Sequence, residues 1–236
     1  MGDWLQRTRL LLGEENTETL KNKKVAVLGL GGVGGSCCES LARCGIGTII
    51  VVDSDVFDIT NLNRQLLATT ENIGNAKCDE AEKRLKLINP NINIIKFKKL
   101  YLPDNSDFLF DEKPDFIVDA IDNVTAKLHL IKTSKEKNIP IVTCLGTGKR
   151  LCPEKLAIGK IADTSGTGCP LSRILRRELK RANITDLDVV FSTEPPMEIA
   201  DDTMRRTIPS SSFVPPVAGY ILSSFVIRKI LDLDIK

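Results

Sequence analysis

The chain has 236 residues, of which 42% are hydrophobic and 27% are charged, and its formal net charge at pH 7 is +2. This length and composition suit one domain with a buried core, and the small net charge alone favours neither nucleic acid nor a membrane as a partner. The seven cysteines include no CxxC pair. This argues against a paired structural zinc site and a disulfide framework, and it favours reduced thiols in a cytoplasmic protein.

Helix and strand patterns alternate through the first 145 residues. The predicted helices are 4–12, 33–44, 75–88 and 123–136. The predicted strands are 24–28, 48–52, 93–97, 115–119 and 139–145. Strands that alternate with helices build a parallel sheet with right-handed crossovers, so we expect an α/β fold with a doubly wound, mainly parallel sheet.

The pattern changes in the C-terminal part of the chain. It predicts strands at 156–161 and 188–192, a basic helix at 171–182, a loop at 193–212 and an apolar helix at 213–231. The last helix contains two prolines, Arg228 and Lys229, which favours a buried helix over a membrane span. We therefore predict one domain, with a nucleotide-binding core at 1–145 and an extension at 146–236.

A glycine motif lies between the first strand and the helix that follows it. Gly29, Gly31 and Gly34 form GxGxxG, and Asp53 ends the next strand. The glycines allow a tight turn, the approach of phosphate and close helix packing, while the acidic residue can accept hydrogen bonds from a ribose. The motif predicts a Rossmann-like nucleotide site, but by itself it fits ATP, NAD(P) or FAD equally well.

The segment after the second strand favours ATP. Arg64 and Lys77 supply two cations just beyond the ribose-binding acid. Fixed cations match the charge of a triphosphate and of its pyrophosphate leaving group, whereas a dehydrogenase does not need them. The candidate nucleotide-binding residues are Gly29, Gly31, Gly32, Gly34, Asp53, Asp55, Asn61, Asn63, Arg64, Gln65, Lys77, Asp122 and Asn123.

A further acidic pair ends the fourth predicted strand. Asp119 and Asp122 lie where the carboxyl edge of a parallel sheet meets its ligand crevice. Asp122 is a candidate magnesium ligand, with water and phosphate in the remaining positions. Asp122 could also cap the next helix, either instead of binding magnesium or in addition to it.

These motifs together resemble the ubiquitin-activating-enzyme-like superfamily. The similar segments are GLGGVG, DSDVFDITNLNRQ, IGNAK, INP and DAIDN, in that order over about residues 5–145. The resemblance implies ATP-dependent adenylation of a carboxylate, with magnesium at Asp122 and with Arg64 and Lys77 in catalysis. It also implies a homodimer in which an N-terminal arginine reaches the partner's phosphates. Arg9 is the best match for that arginine, and Arg7 is the second.

The second half is similar to the tRNA threonylcarbamoyladenosine dehydratase (cyclase) family. The resemblance rests on the turn at 146–149, the segment before the basic helix and VFSTE at 190–194. It implies that ATP activates the threonyl carboxylate of a modified tRNA adenosine, that the urea group of the modification closes a ring, and that AMP and pyrophosphate leave. Cys152 and Cys169 depart from the family, which commonly has Asp before the following proline.

Two further groups of residues remain open to alternative interpretations. The basic helix carries five candidate RNA contacts, Arg173, Arg176, Arg177, Lys180 and Arg181, which a solvated surface would also explain. Lys149–Arg150 and Arg205–Arg206 are candidate extensions of this patch. Cys144 and Cys169 are the thiols to consider as nucleophiles, although cysteines usually act as small buried hydrophobic residues.

A second function remains open at the level of sequence. An adenylating enzyme of this superfamily could instead activate the C-terminus of a ubiquitin-like or sulfur-carrier protein, with a desulfurase-linked protein as a partner. His129 is the only histidine, so catalysis by a histidine triad is not expected.

Overall fold

The computed structural model describes residues 3–198 and 208–233. Within these residues the strands are β1 Lys24–Leu28, β2 Thr48–Val52, β3 Asn93–Phe97, β4 Phe116–Asp119, β5 Ile141–Cys144, β6 Leu156–Lys160 and β7 Asp188–Ser192. The helices are α1 Gln6–Leu12, α2 Glu14–Lys21, α3 Gly32–Arg43, α4 Lys77–Ile88, α5 Asp107–Asp111, α6 Val124–Glu136, α7 Pro170–Arg181 and α8 Val214–Ile230. Short 3-10 turns lie between several of these elements.

The strands form one sheet in the order β3-β2-β1-β4-β5-β7-β6. Every neighbouring pair is parallel except β6 and β7, which are antiparallel. The predicted doubly wound, mainly parallel sheet is therefore confirmed. The chain moves outward from β1 to β2 and β3, and then returns to β4 on the other side of β1. The carboxyl ends of β1 and β4 consequently flank the crevice in which such folds bind ligands.

Helices cover both faces of this sheet, and alternate residues of each strand face opposite layers. In β1, Val25 and Val27 pack with residues of α3, α4 and α8, whereas Ala26 and Leu28 pack with residues of α5, α6 and α7. All four are fully buried. A strand that is buried on both faces contacts apolar neighbours at every position. This explains the continuous apolar run in the sequence of β1.

The last helix packs closely against the helix of the glycine motif. A Cβ atom at Gly219 of α8 would lie 2.3 Å from the Val33 carbonyl oxygen, so only glycine allows this approach. The Ser223 hydroxyl also donates to the Ser40 hydroxyl at 2.6 Å. The predicted buried apolar helix is confirmed. Among the described residues, no helix has both the length and the apolar character needed to cross a membrane.

The C-terminal extension continues the same sheet. Strand β7 pairs with β5, and β6 then pairs with β7 at the edge. The predicted loop at 193–212 contains no helix or strand at 193–198 and 208–212, and its remaining residues lie outside the described ranges.

Two helices were not predicted from the sequence. Helix α2 buries only Thr17 and Leu20, so it lacks the apolar stripe that reveals a helix. Gly13, with φ of 87°, separates it from α1. Helix α5 has five residues, too few to show a helical period.

Candidate functional site

A cavity of about 720 Å³ opens at the carboxyl edge of the sheet. Its walls are the glycine turn after β1, the segment that follows β2, and the turns after β4 and β5. Twelve of the thirteen predicted nucleotide-binding residues line it, all except Asn63. The structure therefore brings residues from widely separated parts of the sequence into one site.

The glycine turn is shaped by close backbone contacts. Gly29 has φ of 87°, and a Cβ atom there would lie 2.6 Å from the Ala120 carbonyl oxygen. A Cβ atom at Gly34 would lie 1.8 Å from the Gly29 carbonyl oxygen. At Gly31, by contrast, a Cβ atom would meet no atom of the described residues within 4 Å. Gly31 therefore borders open cavity at the N-terminus of α3, where backbone N–H groups attract anions.

Asp53 holds this turn in place. One of its carboxylate oxygens accepts the Leu30 N–H at 2.6 Å, and the other accepts the Asp55 N–H at 2.8 Å. Burial raises the pKa of Asp53 above its ordinary value, and the Lys77 ammonium opposes that rise. The predicted ribose acceptor thus also connects the end of β2 to the glycine turn.

Lys77 presents a buried ammonium to the same region. Its Nζ donates to Asp55 at 3.0 Å and lies 4.0 Å from an Asp53 carboxylate oxygen. Lys77 begins α4, where the helix dipole disfavours a cation. The two carboxylates compensate for this placement and fix the cation at the cavity wall.

Arg64 and Asn63 form a second polar group beside the cavity. Arg64 Nη1 donates to the Thr60 carbonyl and to Asn63 Oδ1, each at 2.9 Å. Asn63 Nδ2 donates to the Ser210 carbonyl at 3.1 Å. Asn63 therefore orients Arg64 and contacts the C-terminal extension, and it does not line the cavity as predicted.

Two neighbouring side chains complete this wall. Gln65 Oε1 is buried and has no hydrogen-bond partner in the described part of the chain, so a ligand hydroxyl could donate to it. Asn61 Oδ1 accepts the Asp58 N–H at 3.1 Å. This bond closes the turn that precedes Asn63 and Arg64.

Two adjacent residues in the turn after β4 have different roles. Asn123 Oδ1 accepts the Ala126 N–H at 2.9 Å, so Asn123 is the residue that caps α6. Asp122 is exposed in the cavity and makes no hydrogen bond to any residue that the structure describes. The alternative of an Asp122 cap is therefore wrong, and its carboxylate is available to a ligand.

The donor set fits magnesium better than a metal held by protein alone. Residues 3–198 and 208–233 contain no group of three or more His, Cys, Asp or Glu side chains placed to bind a metal. Magnesium commonly uses one or two carboxylates and takes its other ligands from phosphate and water. Asp122 meets that requirement only when a nucleotide is present.

A buried ion pair beneath the site was missed by the sequence analysis. Lys127 and Asp119 are both fully buried, and their Nζ and Oδ2 atoms are 2.8 Å apart. Burial raises the pKa of Asp119, and Lys127 opposes that rise. Lys127 falls on the buried stripe of α6 with Leu130 and Ile131, so helical spacing indicates its burial, whereas its pairing with Asp119 is not encoded by any local pattern.

One of the two candidate nucleophiles is poorly suited to that role. Cys144 lines the cavity, but burial raises the pKa of its thiol to about 12. Thiolates are the reactive form of cysteine, so Cys144 is a poor nucleophile. Cys169 is buried at the N-cap position of α7, directly before Pro170. All seven cysteines fall within the described ranges, and none forms a disulfide.

The basic helix α7 exposes most, but not all, of its predicted RNA contacts. Arg173, Arg177, Lys180 and Arg181 are exposed. Arg176 instead donates to the Thr164 carbonyl at 2.6 Å and to its hydroxyl at 2.8 Å. It joins α7 to the preceding turn, and we remove it from the candidate RNA surface.

The structure does not support Arg150 as an extension of this surface, and it does not describe Arg205 and Arg206. Arg150 is only 2% exposed, so it cannot extend a surface patch. Arg205 and Arg206 lie outside the described residues.

The predicted N-terminal arginine lies outside the cavity of its own chain. Arg9 pairs with Asp3 at 3.3 Å and with Glu14 at 2.9 Å. The helix that carries it leaves Leu10 and Leu11 more than 80% exposed. Exposed leucines of this kind are typical of a surface that another protein covers.

The comparisons with known proteins agree with this architecture. Residues 5–150 match the ThiF family. The whole chain is similar to the tRNA threonylcarbamoyladenosine dehydratase of Bacillus subtilis (strain 168), with 37% identity over 98% of this chain and 96% of the relative. It is also similar to crystal structures of the Escherichia coli enzyme TcdA. The complex with AMP gives a TM-score of 0.89 at 31% identity, and the complex with ATP gives 0.88 at 30%. Each covers 97% of this chain and 95% of the TcdA chain.

Substitution of Gly31 should separate ligand binding from folding. The backbone of Gly31 has φ of −72°, which alanine adopts readily, and its Cβ would enter open cavity. We expect Gly31→Ala to keep the melting temperature of the apoprotein while weakening ATP binding by at least about tenfold, because the methyl group blocks the approach of phosphate. Calorimetric titration and thermal unfolding measure the two effects.

Gly34→Ala is the matched control for this substitution. Its Cβ would collide with the Gly29 carbonyl oxygen, so we expect it to lower the melting temperature as well. Unchanged ATP affinity in Gly31→Ala would contradict the assignment of the phosphate site.

Proposed function

The chain belongs to the ThiF family, and on that premise we propose that it is an ATP-dependent tRNA threonylcarbamoyladenosine dehydratase. The observation that carries this proposal is the convergence of the glycine turn, Arg64, Lys77 and Asp122 on one cavity. The turn after β5, at 146–148, lines the same cavity and belongs to the extension. A nucleotide and a second substrate could therefore meet there.

The first step is the adenylation of the threonyl carboxylate. A carboxylate oxygen attacks the α-phosphorus of ATP, the bond to the β-phosphate breaks, and pyrophosphate leaves. The N–H groups at the start of α3 receive the phosphates, while Lys77 and Arg64 stabilise the negative charge that develops on the leaving group. Magnesium at Asp122, when bound, would neutralise phosphate charge in this step.

The second step is ring closure. The urea group of the modification attacks the activated carbonyl carbon, AMP leaves with one of the original carboxylate oxygens, and a proton is lost. The net change in the nucleoside is the loss of one water. Because the attacking group belongs to the substrate, proximity provides much of the acceleration and no enzyme nucleophile is required. The high pKa of Cys144 is compatible with this route.

The tRNA would contact the exposed cations of α7. Arg173 and Lys180 pair with no carboxylate in the described residues, whereas Arg177 and Arg181 share Glu178. Leu175 and Leu179 bury the opposite face of the helix against the core. The helix thus presents fixed positive charge to a phosphate backbone.

A homodimer would complete the site. The exposed Leu10 and Leu11 of α1 offer an apolar surface to a second copy, and Arg9 lies beside them. In such a dimer Arg9 would exchange its pairs with Asp3 and Glu14 for the partner's phosphates. We also propose a cytoplasmic location. A sulfur-carrier or desulfurase-linked partner stays a further hypothesis for which the geometry gives no specific support.

AMP release tests the proposed activity. Purified protein with ATP and magnesium should form AMP with tRNA that carries threonylcarbamoyladenosine, and much less with the same tRNA lacking it. The modified nucleoside should lose the mass of one water. Equal AMP with both tRNAs would contradict the proposal and would turn attention to the C-terminal carboxylate of a carrier protein.

Charge reversal on α7 tests the tRNA surface. We expect Lys180→Glu to raise the KM for tRNA several-fold and to flatten its salt dependence, because each phosphate contact contributes about one unit of slope. The thermal shift produced by ATP should not change. Lys83→Glu, on the opposite face of the sheet, carries the same charge change. It also breaks the Lys83–Glu80 pair, so its melting temperature is measured alongside, but its tRNA kinetics should match wild type. Equal tRNA kinetics in the two variants would exclude Lys180 from the surface.

Subunit complementation tests the role of Arg9. Arg9→Ala and Asp122→Asn should each have low activity, for different reasons. If Arg9 acts on the partner's site, co-expressed variants form mixed dimers with one intact site, and activity should recover to about a quarter of wild type. No recovery in mixed dimers, verified by differently tagged subunits, would show that Arg9 acts in its own chain or not at all.

A further inference from the structure

We propose that Lys127 is a positioning residue, which together with Asp119 locks the two turns that carry the nucleotide and substrate ends of the cavity. The inference rests on the proposed function, because it concerns the same reaction. It extends that function by assigning a role to a buried pair that touches no predicted ligand.

The contacts of the pair reach the ends of two strands. Lys127 Nζ, on α6, lies 2.8 Å from Asp119 Oδ2 and donates to the Cys144 carbonyl at 3.1 Å. Asp119 ends β4 and Cys144 ends β5. One ammonium therefore connects the carboxyl ends of both strands.

Asp119 extends the connection into the turn after β4. Its Oδ1 accepts the Ile121 N–H at 3.1 Å, and its Oδ2 accepts the Thr143 hydroxyl at 3.0 Å. The Ile121 peptide directly precedes Asp122, the candidate magnesium ligand. Asp119 thus fixes the backbone that places the Asp122 carboxylate in the cavity.

The Cys144 carbonyl connects Lys127 to the turn after β5. Leu145 and Gly146 follow it, and the cavity wall continues through Thr147 and Gly148 into the C-terminal extension. The pairing of β5 with β4 and the Leu145 N–H, which donates to the Val190 carbonyl at 2.9 Å, also hold the start of this turn. The ion pair adds a side-chain connection between the turn on the nucleotide side and the turn on the substrate side of the cavity.

Stability alone does not explain a buried ion pair. Desolvation of two charges offsets most of their attraction, and well-packed apolar residues of similar volume usually stabilise a core as well or better. The contacts of this pair instead end on backbone groups of two site-forming turns. Reactions between two bound substrates are sensitive to displacements of about 1 Å, so such fixation affects turnover.

The test compares a single and a double apolar replacement. Lys127→Met leaves Asp119 charged and unpaired, and we expect its melting temperature to fall by about 10 °C. Lys127→Met combined with Asp119→Leu removes both charges and should recover most of that loss. If the pair positions the turns, the kcat of tRNA-dependent AMP formation in the double variant stays at least about tenfold below wild type. The KM for ATP should change little, since the glycine turn and Lys77 are intact.

Two further variants keep the test decisive. Arg84→Met removes one of the two arginines that pair with Glu39 on the other face of the sheet, so it should lower the melting temperature slightly without lowering kcat. Thr143→Val removes one hydrogen bond to Asp119 and keeps the ion pair. It should lower kcat about threefold with a small change in melting temperature, which tests the Asp119 half of the connection.

The outcomes distinguish the two proposals. A double variant that regains both its melting temperature and its kcat overturns the positioning role and leaves the proposed function intact. If the double variant does not fold, a kcat of Lys127→Met equal to that of wild type, measured below its melting temperature, overturns it instead. A wild-type protein that forms AMP independently of the tRNA modification overturns the proposed function, and the positioning role for this reaction with it.

Discussion

The approach of the glycine turn to the backbone after β4 is the contact on which the site depends. The Gly29 N–H donates to the Val52 carbonyl at 2.8 Å, and the Ala120 N–H donates to the Leu28 carbonyl at 2.9 Å. These bonds extend the sheet ladder past the ends of β1, β2 and β4. Because Gly29 lacks a Cβ, the Ala120 carbonyl fits against it. The start of α3, Asp53 and Asp122 are thereby held around one crevice.

The charges around this crevice are consistent with the proposed binding of ATP together with magnesium. Lys77 is neutralised by Asp53 and Asp55 in the apoprotein, and Arg64 is oriented by neutral oxygen atoms. The Asp122 carboxylate is exposed and makes no hydrogen bond to the described residues. The phosphates of a magnesium nucleotide would pair with Lys77 and Arg64, and its magnesium ion would pair with Asp122. A nicotinamide cofactor would leave Asp122 without a role. The same arrangement suits adenylation of any carboxylate, so we propose that the tRNA specificity comes from the extension.

Much of the fold and the site could be predicted because the signals are local. The glycine spacing, the apolar strands and the acidic residue after β2 lie within short stretches of sequence. Together with the family resemblance, these signals identified twelve of the residues that line the cavity. Side-chain direction could not be predicted in the same way. Arg176 and Arg150 appear in basic stretches, yet one bonds to Thr164 and the other is buried. The Lys127–Asp119 pair depends on a tertiary contact that no local pattern encodes, and α2 lacks a stripe because it covers little of the core.

In the proposed reaction, ATP activates the substrate's carboxylate at this cavity. The most direct test uses tRNA whose threonyl carboxylate carries a heavy oxygen isotope, with the AMP product analysed by mass spectrometry. Attack of the carboxylate on the α-phosphorus predicts that one labelled oxygen is transferred to AMP, while the cyclised nucleoside retains the other. Unlabelled AMP, formed together with a cyclised nucleoside, would contradict the account, because the carboxylate oxygen would not have been the group that left with AMP.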